Sequence, residues 1–125
     1  MKKIETSEAP KALGPYSQAV QQGELIFVSG QLPINPNTGQ LLMGDISAQT
    51  RLVIENLKAI LKASGSDLDK VVRCEVFLTD LENFKSMNEE YSKYFNGKCP
   101  PARQTIQVAA LPMGSPIEIS CIATT

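Results

Sequence analysis

Apolar residues recur along this chain with two different periods. Tyr16–Gln21 and Glu24–Gly30 carry the short spacing of strands, with Gln22-Gly23 as the turn of a hairpin. In the second, Leu25 and Phe27 alternate with Ile26 and Val28. Asp45 then predicts the N-cap of a helix that runs to about Ser64 and stops at Gly65. Ile46, Val53, Ile54, Leu57, Ile60 and Leu61 form its apolar stripe, and Arg51, Glu55, Lys58 and Lys62 fall off that stripe. Val71–Thr79 returns to alternation, with Val72, Cys74, Val76 and Leu78 on one side and Val71, Arg73, Glu75 and Phe77 on the other. Asp80 predicts the cap of a second helix through about Phe95, its stripe of Leu81, Phe84, Tyr91 and Phe95 interrupted by Asn88. Asn96-Gly97 ends it, and Cys99-Pro100-Pro101 makes a stiff connector. Two more strands close the chain, Arg103–Ala110 and Ile117–Thr124, separated by the turn Leu111–Pro116. Residues 1–15 and Gln31–Met43 read as loop.

The predicted order is ββ-α-β-α-ββ, an α/β (α+β) sandwich over one domain, residues 1–125. Two helices cover one face of such a sheet. On the other face the alternation places Arg73, Glu75, Arg103, Thr105, Gln107, Glu118 and Ser120, together with apolar Val71, Phe77 and Ile122. Two readings fit this mixture. Either the face meets another copy of the chain, or it is the wet face of a monomer.

Composition narrows the chemistry. The chain has 125 residues, with 12 basic against 13 acidic, a net charge of −1. That balance argues against a general binder of nucleic acid or anionic membrane. There are no histidines. Ser-His-Asp and Cys-His nucleophile pairs, and most catalytic zinc sites, are excluded at once. Cys74, Cys99 and Cys121 make an odd count with neither disulfide nor metal spacing, as expected in a reducing compartment. The basic start Met1-Lys2-Lys3 is followed by Glu5-Thr6-Ser7-Glu8 instead of an apolar signal region, and no run is long enough to span a bilayer. The expectation is a cytoplasmic chain with neither metal nor organic cofactor.

Few residues remain that can carry chemistry. Arg103 follows the Pro-rich connector, and its planar fork of donors suits a carboxylate. Alternatively it is a structural arginine neutralised by a neighbouring acid. Glu118, between Ile117 and Ile119, faces Arg103's side if their strands pair; it either orients a water or is that neutralising acid. Asn88 on an apolar stripe needs hydrogen-bond partners from protein, water or ligand. Tyr16 follows Gly14-Pro15, which fixes the origin of its ring, at a site or in the core. Ser29-Gly30-Gln31 ends a strand, where glycine allows close approach of backbone to a ligand.

Leu13-Gly14-Pro15-Tyr16-Ser17-Gln18-Ala19, Val28-Ser29-Gly30-Gln31-Leu32-Pro33, Pro101-Ala102-Arg103 and Ile117-Glu118-Ile119 together resemble the RidA branch of the Rid (YjgF) family of reactive intermediate deaminases. The blocks span nearly the whole chain in the family's order. The resemblance implies a chorismate-mutase-like sheet with two helices on one face, and a homotrimer with sites between subunits. It implies hydrolysis of 2-imino acids or their enamines, such as 2-iminobutanoate and 2-iminopropanoate, to 2-keto acids and ammonia. It assigns the substrate carboxylate to Arg103 and the catalytic water to Glu118. Tyr16, Ser29, Gly30, Asn88 and Thr105 are implied as lining the site. Gln104, Thr105 and Ser120 depart from the residues usual in the family. The competing readings are a module that binds small carboxylates or keto acids without turnover, and a ribonuclease, against which the missing histidines and basic stretch both count.

Overall fold

The structure is a computed structural model that describes residues 1–125. Six strands form one sheet: β1 (Lys2–Ile4), β2 (Ala19–Gln22), β3 (Leu25–Gln31), β4 (Val71–Leu78), β5 (Ala102–Gln107) and β6 (Ile117–Thr124). Two helices, α1 (Ile46–Ala63) and α2 (Phe84–Ser92), pack on one face. The spatial order is β1-β2-β3-β6-β4-β5. Every neighbouring pair is antiparallel except β4 and β5, which run parallel because α2 carries the crossover between them. The α+β sandwich of the sequence reading is therefore the observed architecture.

Alternation fixes which residues line the core. Ile26, Val28, Cys74, Val76, Leu78, Ile117, Ile119 and Cys121 point under the helices and are buried. The α1 stripe of Val53, Ile54, Leu57, Ile60 and Leu61 meets them with no exposed surface. Asp45 caps α1 as expected, its side chain accepting from the Ser47 N–H. No helix is long and apolar enough to cross a membrane.

Several boundaries differ from the sequence reading. Residues 1–15 are not all loop: Lys2–Ile4 pairs with Ala19–Gln21 as the edge strand β1. Three residues leave too short a pattern to read. Tyr16 stands outside β2, in the turn that precedes it. Asp80 caps a single 3-10 turn, Leu81–Asn83, and α2 proper ends at Ser92, before Phe95. β4 ends at Leu78, and β5 covers Ala102–Gln107 rather than reaching Ala110.

The largest correction concerns the faces. β5 pairs only with β4, so β5 and β6 are not neighbours. Cys74 of β4 lies opposite Arg103 on one side and Cys121 on the other, while Glu118 lies opposite Phe77. Residues in register share a face, and positions 74 and 77 point oppositely. Arg103, Thr105 and Gln107 therefore lie on the helix side, with Val71, where a register shift between Val71 and Arg73 changes the parity. Glu118 lies on the open side. The open face carries Arg73, Glu75, Phe77, Gln104, Ile106, Glu118, Ser120 and Ile122. Leu25 and Phe27 of β3 extend it, each 41% exposed.

Candidate functional site

The residues singled out in the sequence form two clusters. The first surrounds Arg103 at the edge of the sheet. Its guanidinium Nη1 donates to Asn88 Oδ1 at 2.7 Å. The charged carbon lies 4.8 Å from the centre of the Tyr91 ring and 5.6 Å from that of Phe84. These three partners project from successive turns of α2 at positions 84, 88 and 91, which is why Asn88 sits on an apolar stripe. No acid lies within ion-pair distance of Arg103, so the reading of it as a neutralised structural arginine is not upheld. Its charge is held by a neutral amide and two ring faces, and the rest of the donor fork is free of protein acceptors. Thr105 follows two residues later on the same face. The hydroxyl of Thr105 is buried without a hydrogen-bond partner, a cost that proteins usually avoid, and the buried hydroxyl of Tyr91 has only the Cys74 thiol beside it. Burial raises the Tyr91 phenol far above its ordinary value and keeps it neutral. Burial also raises the Cys74 and Cys121 thiols, so neither is a thiolate nucleophile.

The second cluster lines a cavity of about 560 Å³ that contains Tyr16, Ser29, Gly30 and Glu118. Glu118 is half-buried and makes neither a hydrogen bond nor an ion pair with any side chain. Burial raises its carboxyl above the usual carboxylate range. Gly30 makes this placement possible. A Cβ at position 30 would fall on Glu118 Oε2 and lie 2.8 Å from its Cδ. A side chain at position 30 would therefore push the Glu118 carboxyl from its present place, while the φ of Gly30 is not in the left-handed region. Ser29 and Gly30 lie where the β3–β6 register shifts between Val28 and Gln31. Ser29 is committed to the wall: its hydroxyl donates to the Ser17 carbonyl at 2.6 Å and its N–H to the Gln18 carbonyl at 2.9 Å.

Sequence reasoning missed two supports of this cavity. Gln18 is buried, and its amide donates to the Pro10 and Thr6 carbonyls at 2.8 and 3.1 Å while accepting from the Thr6 N–H. It straps residues 6–10 against the sheet, and Pro10 and Lys11 form a wall. Met113 is the other, with φ of 60°, the one non-glycine residue in the left-handed region. That conformation costs on the order of 1 kcal/mol in a long side chain. Nothing in the sequence marks it except the neighbouring Pro112 and Gly114.

The cavity does not include Arg103, Asn88 or Thr105. Within one chain the sheet separates the two clusters. Of the positions that depart from the family pattern, Gln104 and Ser120 lie on the open face, where Gln104 accepts from Arg73 at 3.1 Å; Thr105 alone adjoins Arg103. No three acidic or cysteine side chains converge as a metal-ligand set.

A mixed six-stranded sheet with two helices on one face and a Gly-Glu cavity on the other defines an α+β class to which known proteins can be compared. The profile of the family described as Endoribonuclease L-PSP matches residues 6–125, and the chain belongs to that family. It is 56% identical over 124 residues to the protein DfrA of Myxococcus xanthus, covering 98% of this chain and 94% of the relative. It is 48% identical over 122 residues to the mouse protein named 2-iminobutanoate/2-iminopropanoate deaminase, covering 98% and 90%. The crystal structure of TdcF from Escherichia coli with bound serine superposes with a TM-score of 0.94 at 42% identity, covering 100% of this chain and 99% of that one. The crystal structure of RidA from the Antarctic bacterium Psychrobacter sp. PAMC 21119 superposes with a TM-score of 0.95 at 43% identity, covering 100% of both chains, which bears out the Rid (YjgF) resemblance of the sequence blocks.

Proposed function

We propose that this chain hydrolyses 2-imino acids such as 2-iminobutanoate and 2-iminopropanoate to 2-keto acids and ammonia. The observation that carries the reading is the contrast of two unpaired charges: a guanidinium held without any acid, and a carboxyl held without any base. The deaminase name of the mouse relative, and the amino acid bound in the E. coli relative, favour a small carboxylate in the site.

In this reading Arg103 grips the substrate carboxylate with the fork that Asn88 and the two rings leave free. The imine carbon beside that carboxylate is already electrophilic, so holding and aiming supply most of the acceleration. Glu118 takes a proton from a water whose oxygen bonds to the imine carbon, and the C=N π electrons move to nitrogen. Glu118 then returns the proton to nitrogen. Glu118 next takes the remaining hydroxyl proton and delivers it to the same nitrogen; the C–N bond breaks, its electron pair leaves with the nitrogen as ammonia, and an oxygen lone pair closes the carbonyl. The burial that raises the Glu118 pKa makes it a better base than an exposed carboxylate.

Arg103 and Glu118 lie on opposite faces of one sheet, so one substrate meets both only if they belong to different copies. We therefore read the functional unit as a homotrimer in which the Arg103 cluster of one copy closes the Glu118 cavity of the next. The half-exposed apolar residues Leu25, Phe27 and Ile106 on the open face supply contact area for such an assembly.

The test is ammonia release from freshly generated 2-iminobutanoate, natural protein against Arg103→Ala. The expected result is a loss of at least about a hundredfold. Equal rates would end the catalytic reading. Calorimetric binding of 2-ketobutyrate by a protein that shows no turnover would leave a binding module instead.

A further inference from the structure

We infer that Cys74 and Cys121 are a cross-strand thiol pair that peroxide closes into a disulfide, and that this closure loosens the hold on Arg103. The inference rests on the deaminase reading and names a regulation of that same site.

Register brings the two thiols together. Cys74 of β4 lies directly opposite Cys121 of β6, and both side chains are buried under the helices. Both are free thiols. Residues directly opposite in an antiparallel ladder have Cβ atoms about 4.5–5.5 Å apart, and a disulfide needs about 3.5–4.5 Å. The strands therefore draw together slightly as the bond forms, and a bond made under strain is readily reopened by a thiol reductant. The next pairs on this face of the ladder, Val76 opposite Ile119 and Leu78 opposite Ile117, are aliphatic. Sulfur stands only at the pair beside the Arg103 cluster.

That pair touches the site. Cys74 also lies opposite Arg103 in the register of β4 and β5. Its thiol is the one polar neighbour of the Tyr91 hydroxyl, and the Tyr91 ring is one of the two faces that hold the guanidinium. A Cys74 sulfur drawn toward Cys121 leaves that hydroxyl alone and shifts a ring on which Arg103 rests.

Burial keeps both thiols protonated at rest. At Cys74 the Tyr91 hydroxyl and the Arg103 charge oppose the burial, and at Cys121 nothing does. Cys74 therefore starts the reaction, slowly, through its small thiolate fraction. Its sulfur bonds to one oxygen of hydrogen peroxide as the O–O bond breaks, and the other oxygen leaves as hydroxide and takes up the thiol's proton as water. The product is a sulfenic acid. The Cys121 sulfur then bonds to the Cys74 sulfur, the S–O bond breaks, and the hydroxide leaves with the Cys121 proton as a second water. The pair loses two electrons, and one peroxide is reduced to two waters.

The test uses Cys99→Ser protein, which removes the exposed third thiol and leaves only this pair to oxidise. Hydrogen peroxide is added, the chain is mapped by mass spectrometry without reduction, and ammonia release from 2-iminobutanoate is measured before and after. The expected result is a disulfide between positions 74 and 121, a mass lower by two hydrogens, a KM raised by about tenfold, and recovery of both with dithiothreitol. Cys74→Ser in the same background keeps a polar neighbour for Tyr91 and is expected to show the same KM before and after peroxide; Cys74→Ala serves if the serine chain does not fold. Thiols that stay intact, or that pass to sulfinic acid without a disulfide, overturn the inference. So does a disulfide that leaves KM unchanged, or a loss that the Cys74 variant shares. Reduced protein that releases no ammonia removes the deaminase reading instead. The mapped disulfide and the near-ultraviolet dichroism of tyrosine, expected to change only where the disulfide forms, then decide the switch.

Discussion

Two arginines flank α2 and meet opposite fates. Arg51 of α1 reaches Glu90, whose side chain is only 3% exposed, at 3.2 Å, and Lys93 reaches the same carboxylate at 3.0 Å. Burial alone would raise the Glu90 carboxyl, but the hydrogen bonds from Arg51 and Lys93 outweigh it and hold the group below its ordinary value. Arg103 of β5, which meets the same helix at Phe84, Asn88 and Tyr91, has no acid at all and is held by Asn88 and two aromatic faces. The same helix therefore saturates one guanidinium and leaves the other available. Charge on its own does not distinguish them; the chemistry of the neighbours does. An arginine whose partners are neutral keeps its capacity for an anion that arrives from outside.

The sharpest way to break the comparison is to remove each arginine. Arg103→Ala is expected to lower kcat/KM for 2-iminobutanoate by at least about a hundredfold with little change in melting temperature. Arg51→Ala is expected to lower the melting temperature and leave kcat/KM within about twofold. Equal kinetic effects would erase the distinction. Glu118→Gln comes next, with kcat expected to fall by about a hundredfold or more. Because burial raises the Glu118 pKa in the folded state, the folded protein binds the proton more tightly than the unfolded chain. The stability that goes with that proton is complete below the ordinary value of 4.5 and is lost as pH rises through the raised value. Glu118→Gln is therefore expected to melt higher than the natural protein at neutral pH, with the gain vanishing in acid. Calorimetric scans across pH check this sign.

Glu90 titrates with the opposite sign. Its folded pKa is lowered, so its stabilisation is present above 4.5 and is lost as pH falls through the lowered value. Glu90→Gln is expected to cost on the order of 1 kcal/mol at neutral pH, because Arg51 and Lys93 are themselves exposed. The smallest change is Gly30→Ala. The added methyl displaces Glu118, and kcat is expected to fall by about tenfold with a minor loss of stability. An unchanged kcat would separate the position of Glu118 from the rate.

Elements with long patterns were legible in the sequence. The α1 stripe, the alternation of β6 and of β4 from Arg73 onward, and the cap at Asp45 appear where local spacing put them, whereas Val72, read on the apolar face, is exposed and Val71 is buried in its place. What the pattern does not carry is strand adjacency. Arg103 and Glu118 look like same-face partners when β5 and β6 are imagined side by side, and insertion of β4 between them reverses that. The register shift at Val71 likewise flips a face without leaving a local mark. Gly30 was legible as a place of close approach, but the group that approaches, Glu118, is eighty-odd residues away along the chain. Gln18 and Met113 escaped because their roles are a strap and a backbone strain, and neither has a periodicity.

One measurement addresses the central claim, that the Arg103 cluster of one copy completes the Glu118 cavity of another. Arg103→Ala and Glu118→Gln chains are unfolded together, refolded as a mixture, and assayed for 2-iminobutanoate hydrolysis beside each variant refolded alone. In a closed ring of randomly mixed copies about one interface in four joins an intact Arg103 to an intact Glu118. The account predicts that two nearly inactive proteins recover about a quarter of the natural activity when mixed; activity that stays at the level of the separate variants would contradict it.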